Sequence, residues 1–240
     1  MGPSFRAPVP SHAFHPRPGQ GARPAVSTSP GLAAGDRRAR QPRKPGVGLL
    51  GGTFNPPHKG HILAAREAMR RLKLSAVIFI PSASPPHKGS GGLAGAADRY
   101  RMVRLAIAGH RRFRASPVEL KRPGPSFTYD TVRLMRRQFP GRELFFIVGA
   151  DLVRDIPTWH RYRDLVRAVR FAVVARPGFP LRALRGLGDR FRLLRVRGLA
   201  VSSRSLRAAL RRKARPRGLP PAVAAYIRRR GLYGTTEPRP

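Results

Sequence analysis

The sequence predicts an α/β fold in which an open parallel sheet carries helices on both faces, and two observations lead there. From Val47 onward, short continuous apolar runs of the kind found in strands buried on both faces alternate with segments whose apolar residues recur at helical spacing. The first strand, helix and second strand, Val47 to Ile80, fit within about 35 residues, the span of a βαβ unit, whose crossover requires parallel pairing and is right-handed.

The elements follow in order. Val47 to Leu50 reads as a short strand, and His61 to Leu72 as a helix with Ile62, Ala65, Met69 and Leu72 on one face. Ala76 to Ile80 (AVIFI) is a buried strand. Ala97 to Ala108 is helical, with Tyr100, Val103 and Ile107 sharing a face, and Arg114 to Leu120 reads as a strand. Tyr129 to Phe139 is a further helix, opened by Ser126 and Thr128 as candidate caps. Leu144 to Val148 (LFFIV) is the clearest buried strand, followed by Phe171 to Ala175 (FAVVA) and a weaker run, Phe191 to Val196. Helices near Ser205 to Lys213 and Ala222 to Arg230 close the domain. This alternation gives a Rossmann-like architecture, in which ligands bind beyond the carboxyl ends of the strands.

Composition bounds the function classes. A chain of 240 residues, 41% hydrophobic, fills one ordinary core. Its formal net charge of +38, from 49 Lys and Arg against 11 Asp and Glu, makes anions the first expected partners. Only six of the 49 cations are lysines, and a coding bias toward arginine explains that as well as a polyanion-binding surface does. With no cysteine, disulfides, thiolate metal sites and cysteine nucleophiles are excluded. No run reaches the ~18 apolar residues of a membrane span and no signal-peptide core is present, so a cytoplasmic protein without membrane engagement is expected. Residues 1–45, rich in Pro, Gly, Ser, Ala and Arg with Asp36 as their one acid, read as a disordered tail. That tail is either solvated without a specific role or a non-specific arm for nucleic acid. Residues 46–234 make the folded domain, and 235–240 a short C-terminal tail.

The chemistry concentrates in Val47 to His61, VGLLGGTFNPPHKGH. A strand ends in Gly51 and Gly52, whose missing Cβ atoms let an anion approach the backbone and permit a positive φ. Pro56 and Pro57 stiffen the loop, and His58 and His61 can share one side of a helix entrance where an anion is held. Taken alone, two such histidines also fit a metal fragment or solvent-facing residues. Far along the chain, Ser202 and Ser203 precede a helix with Arg207 about one turn on, which serves ordinary capping or a second anion site. Asp151 is a helix cap or a ligand contact. Trp159, the only tryptophan, is core or a stacking surface. Lys88 is a solvated loop cation or a partner for a bound anion, and Thr128 a cap or a contact.

With GGTFNPPHKGH as its signature segment, the sequence resembles the HxGH nucleotidyltransferases and, among them, the bacterial nicotinate-nucleotide adenylyltransferases. Further matching segments are Pro85 to Lys88 (PPHK), Ser126 to Thr131 (SFTYDT), Gly149 to Asp151 (GAD) followed by Trp159, Ala175 to Gly178 (ARPG), Val201 to Arg207 (VSSRSLR) and LPPAVAAYIRRRGLY at 219–233. The resemblance covers about residues 46–234 and implies the nucleotidyltransferase fold. It also implies transfer of the adenylyl group of ATP to nicotinic acid mononucleotide, forming the deamido dinucleotide and pyrophosphate in NAD biosynthesis. On it, His58, His61 and Arg207 are catalytic phosphate contacts. Gly51, Gly52, Thr53, Phe54, Asp151, Ser202 and Ser203 bind ATP, while Lys88, Thr128 and Trp159 meet the mononucleotide. No protein metal cage is implied; Mg²⁺ would bridge phosphate oxygens, held mostly by substrate and water. The sequence departs from the family pattern at Arg204, where SSTxxR has threonine, at Asn55, which replaces a common Asp while keeping its turn chemistry, and at Phe127, where Tyr is frequent. The competing expectations are an enzyme for the amidated mononucleotide or another phosphorylated acceptor such as phosphopantetheine, and a basic nucleic-acid-binding protein.

Overall fold

The computed structural model describes residues 44–84, 92–175, 178–180, 188–198 and 201–235. Nearly all of the expected tail 1–45, Lys88 with its PPHK segment, Arg176, Pro177 and residues 236–240 lie outside them. The strands are β1 (Val47–Gly52), β2 (Ala76–Pro81), β3 (Phe113–Ala115), β4 (Leu144–Gly149), β5 (Arg170–Ala175) and β6 (Phe191–Arg195). They form one sheet in the order β3-β2-β1-β4-β5-β6, and every pairing is parallel. The order reverses between β1 and β4, so the carboxyl ends of these two strands bound the crevice where such sheets take ligands.

Alternation along the strands produces the two layers. Val47, Leu49, Phe146, Val148 and Phe171 bury one face against α3 (Thr128–Gln138) and α4 (Tyr162–Ala168). Leu50, Val77, Phe79, Phe145 and Ile147 bury the other against α1 (Lys59–Arg71) and α2 (Ala96–Ile107). Because both faces are covered, β1, β2, β4 and β5 carry no polar stripe, which is why they read as continuous apolar runs, whereas the edge strands β3 and β6 expose arginines. A satellite cluster joins Met102 of α2 to Leu206 and Leu210 of α5 (Ser203–Arg211) and to Val223 and Ile227 of α6 (Pro221–Arg229). No helix among the described residues is long and apolar enough to cross a membrane.

Several expectations are corrected. The strand expected over Arg114 to Leu120 is only Phe113–Ala115. Pro117 brings no N–H to a ladder, and its carbonyl instead accepts from Lys121 N at 3.1 Å, turning the chain away from the sheet edge. Neither Ser126 nor Thr128 caps α3. The cap position is Phe127, Thr128 is the first helical residue, and the Ser126 hydroxyl accepts from Ala83 N at 3.0 Å, tying the loop after β2 to the entrance of α3. The buried face of α2 holds Arg99, Met102, Val103 and Ile107, with Tyr100 beside it. Two elements between β4 and β5 have no periodicity long enough to read: a 3-10 stretch, Ala150–Thr158, interrupted by Pro157, and the seven-residue α4.

Past β3, the Glu119 carboxylate is buried, accepting from Thr131 Oγ1 at 2.7 Å. Burial pushes its pKa up from the ordinary 4.5, against the hydroxyls of Thr131 and Ser126 and the charges of Arg122 and Arg99. An acid whose folded pKa is raised binds protons more tightly folded than unfolded, so it loses stability as pH rises through the raised value. Glu119→Gln is therefore expected to raise the thermal midpoint at pH values above the raised pKa, with the gain shrinking toward zero as pH falls to the ordinary carboxylate range. A gain that is the same at both ends of that range would remove the explanation.

Candidate active site

The β1 to α1 connection is built from buried residues. Gly51 and Gly52 are the last residues of β1, in extended conformation, so neither uses the positive φ open to it; the left-handed residue of the turn is Phe54, at φ 49°. A Cβ on Gly51 would lie 3.1 Å from the Phe146 ring, whereas one on Gly52 would make only ordinary contact with Phe54, leaving open the approach to the backbone there. Phe54 is 2% exposed, and its ring meets the edge of His61 at a centroid distance of 4.9 Å. The Asn55–Pro56 bond is cis.

His58 is the N-cap of α1 and His61 stands at N3, with the rings stacked 3.7 Å apart. His61 Nδ1 accepts from His58 N at 3.1 Å, so the ring proton of neutral His61 resides on Nε2. Gly60 separates them because a Cβ there would lie 3.0 Å from His58 Nδ1 and 3.1 Å from Cε1. Gly60→Ala should thus leave stability unchanged or slightly higher, since alanine is worth up to about 1 kcal/mol more than glycine in a helix. Displacing the His58 ring should at the same time cut kcat at least about tenfold. Melting and turnover measured on one preparation check the opposite signs, and an equally active variant would show that the ring position is immaterial.

The N-terminus of α5 closes on this loop from the far end of the chain. Ser202 is the N-cap, its Oγ accepting from Ser205 N at 3.1 Å, so the capping reading of this residue is correct and Ser205 completes the box. Ser203 behaves differently: its hydroxyl donates to Pro56 O at 2.8 Å across 147 positions. Arg207 Nη1 donates to Asn55 O at 2.8 Å across 152. Ser203, Arg207, His58 and His61 therefore belong to one cluster around the loop. Arg204, at the position of the family's threonine, is exposed.

The remaining candidates lie beyond the ends of β4 and β2. Asp151 follows β4 as the second residue of the 3-10 stretch, whose cap is Gly149, so the capping alternative does not hold. Trp159 ends that stretch, half-buried, with its ring edge-on to Phe146 at 5.9 Å. The entrance of α3, where Thr128 stands, meets the segment that follows Trp159: Phe127 stacks on His160 at 4.3 Å and the Arg161 guanidinium sits 4.4 Å over the Tyr129 ring. Among the described residues no group of three or more His, Cys, Asp or Glu could hold a metal ion.

The cytidylyltransferase-like family matches residues 49–209, which include both halves of this cluster. A probable nicotinate-nucleotide adenylyltransferase of Geobacillus thermodenitrificans is 41% identical over 189 residues, covering 78% of this chain and 86% of that one. A counterpart in Thermus thermophilus is 44% identical over 189 residues, covering 78% and 98%. The chain belongs to the nicotinate-nucleotide adenylyltransferase family. A solved structure of Plasmodium falciparum nicotinic acid mononucleotide adenylyltransferase complexed with NaAD has the same fold, with a TM-score of 0.69 at 19% identity over 80% of this chain and 99% of that one.

In this adenylyltransferase two further residues organise the loop, Arg99, which did not stand out in the sequence, and Asn55, which the sequence marked only as a departure from a common Asp. Arg99 is 1% exposed and bonded only to carbonyls: Nε to Ala94 O at 2.9 Å, Nη1 to Thr53 O at 3.0 Å and Ser82 O at 2.6 Å, Nη2 to Ala83 O at 3.1 Å. It fastens the loops after β1 and β2 to the start of α2. The available signal was an arginine in helical register with Met102 and Val103. Asn55 is the other: its Nδ2 donates to Gly92 O and its Oδ1 accepts from Ala94 N, both at 3.0 Å. The donation to Gly92 is one that an ionised aspartate could not make.

Proposed function

We infer that this chain transfers the adenylyl group of ATP to nicotinic acid mononucleotide, releasing nicotinic acid adenine dinucleotide and pyrophosphate in NAD biosynthesis. A phosphate oxygen of the mononucleotide bonds to the α-phosphorus as the bond from that phosphorus to the bridging oxygen breaks, its electron pair leaving with pyrophosphate. The attacking phosphate is largely ionised at neutral pH, its second pKa being about 6 by analogy with phosphorylated side chains, so no base is needed. What the protein must supply is alignment and donors for charge that grows on the phosphoryl oxygens.

The observation that carries the residue roles is the meeting of Ser203 and Arg207 with the loop that bears His58 and His61. His61, accepting at Nδ1, presents Nε2–H as a neutral donor. Arg207 has guanidinium nitrogens besides the one held by Asn55 O, and these serve a phosphate in a forked contact. Gly52 and Thr53 bring the backbone close to the nucleotide, Asp151 serves its ribose side, and Trp159 with Thr128 receives the pyridine ring. Mg²⁺ arriving with ATP would be held by phosphate oxygens and water, where it supplies charge neutralisation; Asp151 is the carboxylate that follows β4.

The test is turnover by the purified full chain with MgATP. Pyrophosphate and dinucleotide should form with nicotinic acid mononucleotide, at a kcat/KM at least about tenfold above that with the amidated mononucleotide. Turnover with the amide or with phosphopantetheine, but not with the acid, would overturn the reading.

A further inference from the structure

The last described turn of the chain returns to the phosphate loop. After α6, residues Leu232–Gly234 form a short 3-10 turn in which Tyr233 takes φ 62° and ψ 26°, a left-handed conformation uncommon for a bulky side chain. Such backbone persists only where its surroundings hold it. Here Leu232 and Tyr233 pack on the cluster of Met102, Leu206 and Ile227, and Thr235 Oγ1 bonds back to Leu232 O at 2.9 Å. The Tyr233 hydroxyl donates to Asn55 Oδ1 at 2.7 Å, across 178 positions.

Asn55 is 6% exposed and is the junction between this turn and the proposed catalytic arginine. Tyr233 and Ala94 N supply donors for both lone pairs of its side-chain oxygen, while its own carbonyl holds Arg207 Nη1 at 2.8 Å. Rotation of the Asn55 side chain would break contacts to Gly92, Ala94 and Tyr233 together. Burial raises the Tyr233 phenol well above its ordinary value, against the nearby charges of Arg207 and Arg99, so the hydroxyl remains a donor at any working pH.

We propose that Tyr233 is a positioning residue for adenylyl transfer: acting through Asn55, it fixes the carbonyl that aims Arg207. The proposal rests on Arg207 being a phosphate contact. It assigns the C-terminal turn a part in ATP handling and none in recognition of the pyridine.

Tyr233→Phe keeps the ring and removes only the hydroxyl, so a cycle with Arg207→Ala tests the route of action. In the wild-type background Tyr233→Phe should lower kcat/KM for ATP about tenfold, leaving KM for nicotinic acid mononucleotide within about twofold. In the Arg207→Ala background the same change should alter kcat/KM for ATP by less than about twofold. Wild-type kinetics for Tyr233→Phe, or an equal loss in both backgrounds, would overturn the proposal. If the wild-type chain proves inactive toward the mononucleotide, the functional reading fails separately. Calorimetric MgATP affinities of the same four proteins then decide the positioning claim by the same criterion, non-additivity supporting it and additivity or no effect overturning it.

Discussion

His61→Ala is expected to lower kcat by about 10²–10³-fold while leaving a folded protein, the loss measured when one preorganised donor to a developing oxyanion is removed. The structural damage is bounded. The substitution removes the Nδ1 acceptor of His58 N and one stacked ring, a cap-type loss of about 0.5–2 kcal/mol. Against the roughly 5–15 kcal/mol that keeps a domain folded, this leaves the native state dominant. A drop in turnover at nearly constant melting temperature therefore reports on chemistry. Pyrophosphate release and a circular-dichroism melt on one sample are sufficient, and turnover within about threefold of wild type would remove His61 from the donor set.

Arg99→Met is expected to act mainly through stability, by about 3 kcal/mol. Four backbone carbonyls lose their donor, each loss costing about 1–3 kcal/mol where water cannot replace it, and relief of the guanidinium's own desolvation offsets part of the sum. At ~2–4 °C per kcal/mol for a domain of this size, the midpoint should fall by about 6–12 °C. Burial lowers the Arg99 pKa, yet a guanidinium remains charged in any folded protein, so this is a permanent cation beneath the loop after β1. Arg99→Lys should rescue little, because one ammonium cannot span carbonyls contributed by Thr53, Ser82, Ala83 and Ala94. A melting shift below about 3 °C for Arg99→Met would show that the carbonyls find other partners.

The sheet was legible because its strands are buried on both faces: LFFIV and FAVVA admit no other simple reading, and β1, β2, β4 and β5 were located within a residue or two. What escaped had physical reasons. The 3-10 stretch and α4 are too short for a period to emerge, and β3 at the sheet edge is stopped by a proline whose effect depends on which strand it would have joined. At the site, the glycines and histidines were visible because spacing along one loop fixes their proximity. Arg99, Asn55 and Tyr233 act through carbonyls and amides contributed by segments up to 178 positions away, and nothing local marks such partners. Reading Ser202 and Ser203 as equivalent failed for the same reason: only the placed helix reveals that the first caps it and the second bonds to Pro56.

The bonds from Ser203 and Arg207 to the loop at Asn55 and Pro56 also bear on when the protein becomes competent. Contacts separated by 147 and 152 residues join segments synthesised far apart in time. A chain emerging from the ribosome can assemble β1, β2 and β4 long before α5 exists, so the sheet can fold around a β1–α1 loop that still lacks Ser203 and Arg207. The cluster around that loop is then completed only by the arrival of about the last sixth of the chain, from α5 onward.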